Sequence, residues 1–416
     1  MATKYKRIQA RIERNKEHRK EIKKKILDKY DNFDYVITFQ HYVDALRKCN
    51  KGVKYKLSTQ EFNMNAIEKI HEIITIIESG TIPSPNRIVK IVIRERGKER
   101  TITPIVYYDR ITQRVLCDNA LVPCIGHSLI YDNGASTKYK GVDFARKRMM
   151  YHLQRAVREY GSDFYILQFD FKSFFDSITH KSCYDVLNVT FEDDRIISAT
   201  MDIIKSYPIA EAKQNITDVT ERTSYIDNIQ NNNGVGICLG SQISQVMALA
   251  VPNKIDHYIK DRCAIKGYER YMDDGVIIYN DKEFLKQLLA EIIELANSLG
   301  LKLNLKKTKI VKATKGFTFL KVKYFITKDG KIIRKLSHDG IVRMRRKLKK
   351  FKKLVDKEEM SLDDVYASMQ SWLEHSRIAK SYKTRKRMLK LYDELFSGYK
   401  LTRKYWHEQN MLCMAT

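Results

Sequence analysis

The alternation of apolar and polar positions predicts short strands around two acidic segments. Residues 164–169 are almost wholly apolar and end at Asp170, which is typical of a buried strand. Residues 267–279 have the composition of two further strands, and the Asp274-Gly275 dipeptide between them is a hairpin signal. The pattern therefore places Asp273 and Asp274 at a hairpin tip and Asp170 at the end of a separate strand.

A second alternating segment predicts a basic β-hairpin. Residues 87–94 alternate between two faces, Gly97 follows, and residues 101–103 form the returning strand. Lys98 and Arg100 lie near the tip, where a compact ammonium and a forked guanidinium suit the oxygens of a triphosphate. The alternative is an exposed hairpin that is merely kept soluble by its charges.

Helical periodicity accounts for much of the remaining chain. Residues 35–80 predict a mixture of helix and loop, and residues 108–116 begin a helix that leads to Pro123. Residues 280–299 form an amphipathic pattern that is closed by Gly300 as its C-terminal cap.

A Gly- and Ser-rich loop over residues 234–245 is predicted to open another helix. This helix would run toward Asp261, with a kink at Pro252. Glycines permit close approach of the backbone, and a helix N-terminus favours anions. Because Gly-rich turns before helices are common, the loop alone does not identify a binding site.

Two further predicted helices are strongly basic. Residues 4–29 combine lysines and arginines with a thin apolar stripe, and residues 341–355 carry apolar residues at alternating spacings of three and four. The second helix has a face of one charge sign that could follow a phosphate backbone, although a solvated helix face is the alternative for both. The residues of that face predicted to contact nucleic acid are Arg343, Arg345, Arg346, Lys347, Lys349 and Lys350.

The composition favours a folded protein with a polyanionic partner. Of 416 residues, 43% are hydrophobic, which allows a substantial core in two or three subdomains. The formal charge of +27 favours nucleic acid first and an anionic membrane surface second. No apolar run approaches a membrane span and the N-terminus lacks a signal-peptide core, so we expect a cytoplasmic protein with no membrane partner. Seven scattered cysteines favour neither a disulfide framework nor a zinc site.

The three aspartates form the candidate chemical centre. Adjacent carboxylates repel one another unless a cation lies between them, and Mg²⁺ is typically held by one or two carboxylates together with substrate phosphates. Asp170 would join Asp273 and Asp274 through the fold, and the three could then complete a two-metal site. Because Tyr-x-Asp-Asp alone can occur by chance, it indicates phosphoryl transfer only together with the predicted strands.

The ordered motifs resemble the bacterial reverse transcriptase family, specifically the compact retroelement enzymes related to group II intron proteins. The resemblance covers about residues 30–396. Its motifs, in the family's order, are Gly97 to Arg100, Asp109 to Arg114, Asp170 to Ile178, the 234–245 loop, Tyr271 to Asp274, Leu303 to Lys309 and Phe317 to Leu320. The resemblance implies an α+β right-hand polymerase fold. We divide it into a basic N-terminal helix (1–34), fingers with an N-terminal extension (35–160), a palm with interleaved fingers elements (161–330), and a helical thumb with a C-terminal tail (331–416).

By this resemblance the chain would be an RNA-directed DNA polymerase. Asp170 and Asp273 would be the principal ligands of two Mg²⁺ ions, for which Mn²⁺ could substitute, with Asp274 assisting and the Phe171 carbonyl contacting a metal. Phe175 matches a steric gate against the ribose 2′-hydroxyl, and Lys307 matches a lysine sometimes assigned as a proton donor. The implied nucleotide-binding set is Lys98, Arg100, Phe175, Gly240, Gln245 and Lys307. The implied partners are template RNA, the RNA–DNA hybrid and dNTPs, with a small accessory protein or a second copy of the chain as further candidates.

One position departs from the family's pattern. Many relatives have Pro-Gln-Gly where this chain has Cys238-Leu239-Gly240, so a leucine replaces the glutamine that touches the templating pair. This difference puts fidelity in question. An apolar residue here, followed by Ser244-Gln245, resembles the error-prone enzymes of diversity-generating retroelements, and defence-associated reverse transcriptases could have a similar loop. Because the sequence ends soon after the predicted thumb, we do not expect autonomous intron mobility.

Other classes of function stay open. An RNA-directed RNA polymerase shares the paired aspartates, but Phe175 and the Tyr-x-Asp-Asp form favour DNA synthesis. A non-catalytic RNA-binding splicing helper could retain the fold, but without a metal it would have no physical reason to keep three mutually repelling carboxylates. Protein-primed or untemplated synthesis is a further variant, for which 25 tyrosines offer candidate hydroxyls.

Overall fold

Helices form the first part of the chain. The computed structural model describes residues 17–18, 20–82, 88–95 and 98–397, without the side chains of Glu95 and Lys98. The predicted basic helix is described mainly over residues 20–30, which form α1, and its earlier part lies outside the described residues. The predicted mixture of helix and loop up to Gly80 is confirmed. Its helices are α2 (Phe33–Val36), α3 (Phe39–Cys49), α4 (Leu57–Met64) and α5 (Ala66–Glu78).

The predicted basic hairpin is confirmed, but its first strand begins later than expected and its second strand begins earlier. Strands β1 (Ile91–Glu95) and β2 (Lys98–Ile102) pair antiparallel, and Ile93 lies opposite Arg100. The predicted turn residue Gly97 lies outside the described residues.

The helix after this hairpin extends beyond the predicted end at Pro123. Helix α6 (Tyr107–Leu116) continues through a π-helical turn (Cys117–Leu121) into α7 (Val122–Ser128). Pro123 lies directly after the π-helical turn, inside a continuous helical segment that it does not end. Helix α8 (Val142–Tyr160) follows.

A four-stranded sheet carries the acidic segments. Its strands are β3 (Tyr165–Asp170), β4 (Tyr268–Tyr271), β5 (Asp274–Tyr279) and β6 (Lys309–Lys312), in the order β4-β5-β3-β6. The predicted hairpin is present, but the expected turn at Asp274-Gly275 is wrong, because these residues begin β5 and the turn lies at Met272-Asp273. The Asp-Gly dipeptide did not mark the turn, because Gly275 allows β5 to pack closely against β3 and does not lie in a turn.

Along the chain, helices lie between the strand that ends at Asp170 and the hairpin that carries Asp273, and one helix follows that hairpin directly. They are α9 (Phe174–Ser177), α10 (His180–Thr190), α11 (Asp194–Asn215), α12 (Val219–Gln230), α13 (Gln242–Ala250), α14 (Asn253–His257) and α15 (Lys282–Ser298). Helix α15 and its left-handed cap at Gly300 (φ +75°) agree with the prediction. The expected interruption at Pro252 is also confirmed, since α13 ends and α14 begins around it.

The C-terminal part combines a small sheet with three helices. Strands β7 (Phe317–Phe319), β8 (Val322–Ile326) and β9 (Ile332–Leu336) form an antiparallel sheet. Helices α16 (His338–Asp356), α17 (Leu362–Ser376) and α18 (Tyr382–Leu395) share a core that includes Leu348, Met369 and Leu389. The predicted basic helix is thus confirmed as α16, and its apolar stripe packs against the two helices that follow.

The chain forms two compact units. The first comprises Met1–Ala145, Gln168–Val276 and Lys286–Thr308, and the second comprises Arg146–Leu167, Ile277–Leu285 and Lys309–Thr416. All three candidate aspartates belong to the first unit. The division into fingers, palm and thumb stays a prediction.

Candidate active site

The ends of neighbouring strands bring the three aspartates together. Asp170 is the last residue of β3, Asp274 is the first residue of β5, and these strands are adjacent in the sheet. Asp273 lies in the turn before β5, and its carbonyl accepts a hydrogen bond of 3.3 Å from the Phe171 amide. Residues about a hundred positions apart therefore form one carboxylate cluster, which we define as Asp170, Asp273 and Asp274.

A buried ion pair supports the turn that carries Asp273. The guanidinium of Arg270 is fully buried, contacts both carboxylate oxygens of Asp256 at 2.7–3.0 Å, and donates to the Leu249 carbonyl. Its Nη1 also donates to the Met272 carbonyl at 3.0 Å. Met272 has a φ of +54°, a conformation that is strained for a residue with a side chain. Arg270 therefore fixes a strained residue directly before Asp273.

A close packing contact fixes the start of β5. A Cβ atom at Gly275 would lie 2.1 Å from Cζ of Phe169, whose ring is buried in the neighbouring strand. Real Cβ atoms essentially never come this close to another heavy atom. The glycine thus lets β5 approach β3 closely beside Asp274.

Burial and neighbouring negative charge raise the pKa of Asp273 and of Asp274. Burial and the charges of Asp273 and Asp170 raise the pKa of Asp274 to about 7. Burial also raises the pKa of Asp273, with a further contribution from the charge of Asp170. At pH 7 the Asp274 carboxyl is therefore about half protonated, and a bound cation would displace this proton.

Lys307 is the cation closest to Asp170 in the described structure. Its Nζ lies 2.6 Å from Oδ2 of Asp170, and although burial lowers the pKa of Lys307, the ion pair raises it to above its ordinary value. The backbone amide of Asn304 donates a hydrogen bond to the Asp170 carbonyl at 2.7 Å, and Leu303 forms an antiparallel β-bridge with Phe171. The segment before β6 is therefore hydrogen-bonded to the end of β3, and it holds Lys307 beside Asp170.

The chemistry of the cluster fits a hard divalent cation. Its donors are all carboxylate oxygens, which Mg²⁺ and Mn²⁺ prefer. Across the described residues, no group of three or more His, Cys, Asp or Glu side chains is arranged so that it could hold a metal ion by itself. Mg²⁺ normally takes only one or two carboxylates and completes its shell with water and substrate phosphates, so a complete cage is not required.

The predicted nucleotide-binding residues lie in different settings. The charge of Arg100 opposes the rise in the pKa of Asp273, so the Arg100 side chain lies within electrostatic reach of the cluster. Lys98 begins β2, but its side chain lies outside the described part of the chain. Phe175 is half-buried, with its ring 5.7 Å from that of Phe174, which in turn stacks on Phe171.

The Gly- and Ser-rich loop is fastened to two other elements. The Ser241 hydroxyl donates to the side chain of Gln113 in α6 at 2.9 Å, and the Ile237 amide donates to the Phe175 carbonyl. Gly240 has a φ of +124°, and a Cβ atom there would lie 3.0 Å from the Thr103 carbonyl oxygen.

Gly240 also lines a cavity of about 290 Å³ in the first unit. The lining includes the cationic residues Lys48, Lys51, Arg110 and Arg114. Gln245 is exposed on α13 and is not among the residues that line this cavity. The loop therefore presents Gly240, but not Gln245, to a basic cavity.

The basic face of α16 belongs to the second unit. All six residues selected from the sequence are exposed, and Lys347 also donates to the Ser368 hydroxyl at 2.8 Å. The helix buries Met344 and Leu348, so its polar face is available to solvent.

Sequence reasoning missed three supporting residues. Arg270 carries a charge within a short strand and so gives no sign of complete burial. Asn304 acts mainly through its backbone, which has no sequence signal. Gln113 lies within a motif that the sequence identified, but its partner in the Gly- and Ser-rich loop follows only from the fold.

Comparison with solved structures finds telomerases. Apo telomerase of Candida tropicalis has a TM-score of 0.40 with 80% of this chain covered, and a version truncated from its C-terminal domain has 0.39 with 64% covered. Candida albicans telomerase in complex with a TWJ fragment of telomeric RNA has a TM-score of 0.39 with 75% covered. Identity is 12% in each case, and the matches span 60–64% of the telomerase chains. A comparison with curated protein sequences finds no match.

A family model gives the decisive comparison. The model described as reverse transcriptase (RNA-dependent DNA polymerase) matches residues 86–324, which is more than half of the chain. The matched range includes both hairpins, the Gly- and Ser-rich loop and the whole carboxylate cluster. It agrees with the predicted α+β right-hand polymerase fold. The chain therefore belongs to the reverse transcriptase family.

Proposed function

We propose that the protein is an RNA-directed DNA polymerase that extends a primer on an RNA template. The observation that carries the proposal is the carboxylate cluster, in which burial and the charges of Asp273 and Asp170 raise the pKa of Asp274 to about 7. When ionised, this cluster carries negative charge that a divalent cation would neutralise. Family membership supports the same activity.

In this proposal Asp170, Asp273 and Asp274 would hold two Mg²⁺ ions, with Mn²⁺ as a substitute and the Phe171 carbonyl as a further ligand. The bound ions would supply charge neutralisation for the primer hydroxyl and the pyrophosphate leaving group. Arg100 and Lys98 would bind the triphosphate. Lys307, which now pairs with Asp170, would lie beside the phosphates as a cation and proton donor.

Phe175 would select deoxynucleotides by occupying the space that a 2′-hydroxyl needs. The Gly240 backbone would lie against the incoming nucleotide, and the cationic lining of the cavity beside it would favour phosphate. Gln245 would contribute only from a different side-chain position, because it is exposed on α13.

We further propose that the enzyme belongs to a bacterial or phage retroelement and copies a dedicated RNA. Leu239, in place of the expected glutamine, favours error-prone synthesis as in diversity-generating retroelements, with a small accessory protein or second copy as partner. A defence-associated enzyme that makes templated, protein-primed or untemplated DNA is the alternative role.

The test is dNTP incorporation by the purified protein on a primed RNA template with Mg²⁺. We expect incorporation by the wild type and its loss in Asp273→Asn, while both proteins bind the template equally. Sequencing of the products then separates the roles, because errors at template adenines favour diversity generation, whereas accurate or untemplated products favour defence. RNA binding without incorporation on any template would contradict the polymerase proposal and favour a non-catalytic RNA-binding helper.

A further inference from the structure

An exposed aromatic and basic loop adjoins the strand that leads to Asp273. We define the aromatic–basic loop as residues 131–140, which lie between α7 and α8 in the first unit. Tyr131 is 63% exposed and Tyr139 is 89% exposed. Single exposed rings are common on protein surfaces, but two exposed rings on one short loop form a candidate contact surface.

The base of this loop is held rigidly against β4. The Arg270 amide donates to the Asp132 carbonyl at 3.1 Å, and the Gly134 amide donates to the Arg270 carbonyl at 3.0 Å. A Cβ atom at Gly134 would lie 2.8 Å from Cβ of Ala145 and 3.5 Å from the Tyr271 ring. The loop therefore begins as a backbone partner of the strand that ends two residues before Asp273.

The tip of the loop contains two residues with a positive φ. Tyr139 has a φ of +63° and Ser136 has a φ of +44°, conformations that residues with side chains rarely adopt. The turn is closed by the Lys140 amide, which donates to the Thr137 carbonyl, and by Lys140 Nζ, which donates to the Tyr131 carbonyl at 2.8 Å. Strain that holds an exposed ring outward, instead of burying it, is typical of a binding site.

Positive charge accompanies both rings. Lys138 Nζ lies 5.1 Å from the Tyr139 ring centre, and Lys140 Nζ lies 5.2 Å from that of Tyr131. Exposed aromatic faces next to cations are the two components from which proteins build sites for unpaired nucleotides, since bases stack on the rings and phosphates meet the cations.

We propose that the aromatic–basic loop binds the single-stranded RNA template, with a base stacked on Tyr139 and the positive charges of Lys138 and Lys140 facing the adjacent phosphates. This rests on the proposed polymerase function, because that function supplies the strand. Anchoring of the loop to β4 places this contact on the same rigid element as the carboxylate cluster. Stacking on a ring is tolerant of sequence, as a template contact must be.

The test measures binding alone, without dNTPs or metal. Fluorescence anisotropy with a labelled single-stranded RNA of about 12 nucleotides gives the Kd of the wild type, Tyr139→Ala, Tyr139→Phe and Tyr139→Gly. We expect about tenfold weaker binding in the Ala and Gly variants, and unchanged binding in the Phe variant, because the Phe ring still stacks. Since glycine also relieves the strain at φ +63°, Tyr139→Gly should unfold at a higher denaturant concentration despite its weaker binding.

Tyr55 provides the matched control, because it is 75% exposed and lies on a turn elsewhere in the first unit. Tyr55→Ala should leave the Kd unchanged, and Tyr139→Ala should leave binding of blunt duplex RNA unchanged. Equal affinities of Tyr139→Ala and wild type, in a protein that binds RNA and incorporates dNTPs, would overturn the template contact alone and favour a protein partner. Equal weakening on single-stranded and duplex RNA would also overturn it, whereas a wild type that binds no RNA would contradict the polymerase proposal as well.

Discussion

At the residue scale, the proton on the carboxylate cluster governs how cations bind. The pKa of Asp274 is raised to about 7, so this carboxyl is largely protonated at pH 6 and largely ionised at pH 8. Since a bound cation displaces the proton, we expect the apparent affinity for Mn²⁺ to fall as the pH decreases below 7, by up to about tenfold per pH unit for one proton. Calorimetric titration of the protein without nucleic acid at pH 6, 7 and 8 measures this.

Asp274→Asn is the control for that titration. The variant should bind Mn²⁺ more weakly at pH 8 and should lose most of the pH dependence, because the amide does not titrate in this range. Asp273, whose pKa is also raised, would account for the pH dependence that remains. An affinity of the wild type that is the same at all three pH values would contradict this account of the cluster.

Gly275 is the residue on which the packing of β5 against β3 depends. Gly275→Ala adds a methyl group that would overlap the ring of Phe169, which is buried and has little room to move. Overpacking of this kind costs about 1–3 kcal/mol of unfolding free energy. Urea denaturation measures the loss. The double variant Gly275→Ala/Phe169→Leu should recover part of it.

The matched control is Gly126→Ala in α7, where an added Cβ atom meets no atom within 4 Å. This variant should be equally stable or gain up to about 1 kcal/mol, because alanine favours a helix more than glycine does. If both substitutions changed the stability alike, the close contact with Phe169 would not be the cause.

At the scale of elements, β4 and its turn depend on one buried ion pair. Removal of one partner leaves the other charge buried, which typically costs about 3–5 kcal/mol of unfolding free energy. We expect Arg270→Met to lose this amount, and Arg270→Met/Asp256→Asn to lose less than the sum of the single variants, because the uncompensated carboxylate is gone. Urea denaturation of the three variants measures the coupling.

The exposed pair of Lys181 and Asp185 is the comparison, since both side chains are more than half exposed. Lys181→Met should change the unfolding free energy by less than about 0.5 kcal/mol. Additive losses in the Arg270 and Asp256 variants would mean that the two residues act independently, which would contradict the three hydrogen bonds between them.

The sequence predicted elements well where one local pattern decides the structure. The amphipathic helix α15, the basic helix α16 and the strand before Asp170 all follow from periodicity. The errors arose where tertiary packing outweighed a local signal. Asp274-Gly275 begins a strand because Gly275 packs against Phe169, and Pro123 lies inside a continuous helical segment, directly after the π-helical turn.

The same division applies to the candidate site. Acidic residues at strand ends predicted the carboxylate cluster, because strand ends in one sheet can meet at one edge. The supports of the cluster could not be predicted, since Arg270 donates to a backbone carbonyl and Asn304 acts through its own amide. The sequence does not reveal such contacts, because nearly every residue type offers the same backbone groups.

At the scale of the whole molecule, the net charge of +27 raises the question of whether nucleic acid is held by a general field or by one surface. No helix in the described part of the chain is long and apolar enough to span a membrane. If one surface holds the nucleic acid, removal of its charges should reduce the salt dependence of the binding constant, because each phosphate that a protein neutralises releases counterions. The exposed basic face of α16 is the candidate.

We therefore expect Arg343→Gln/Arg346→Gln/Lys350→Gln, on one face of α16, to weaken binding of an RNA–DNA hybrid and to reduce the slope of log K against log salt by up to about 3. Lys213→Gln/Lys254→Gln/Lys282→Gln removes the same charge from exposed residues on three other helices. That control should weaken binding slightly and leave the slope nearly unchanged. Anisotropy titrations between 50 and about 300 mM salt measure both slopes. Equal changes in the two variants would assign hybrid binding to the general field of the molecule, whereas a change confined to α16 would assign it to that helix.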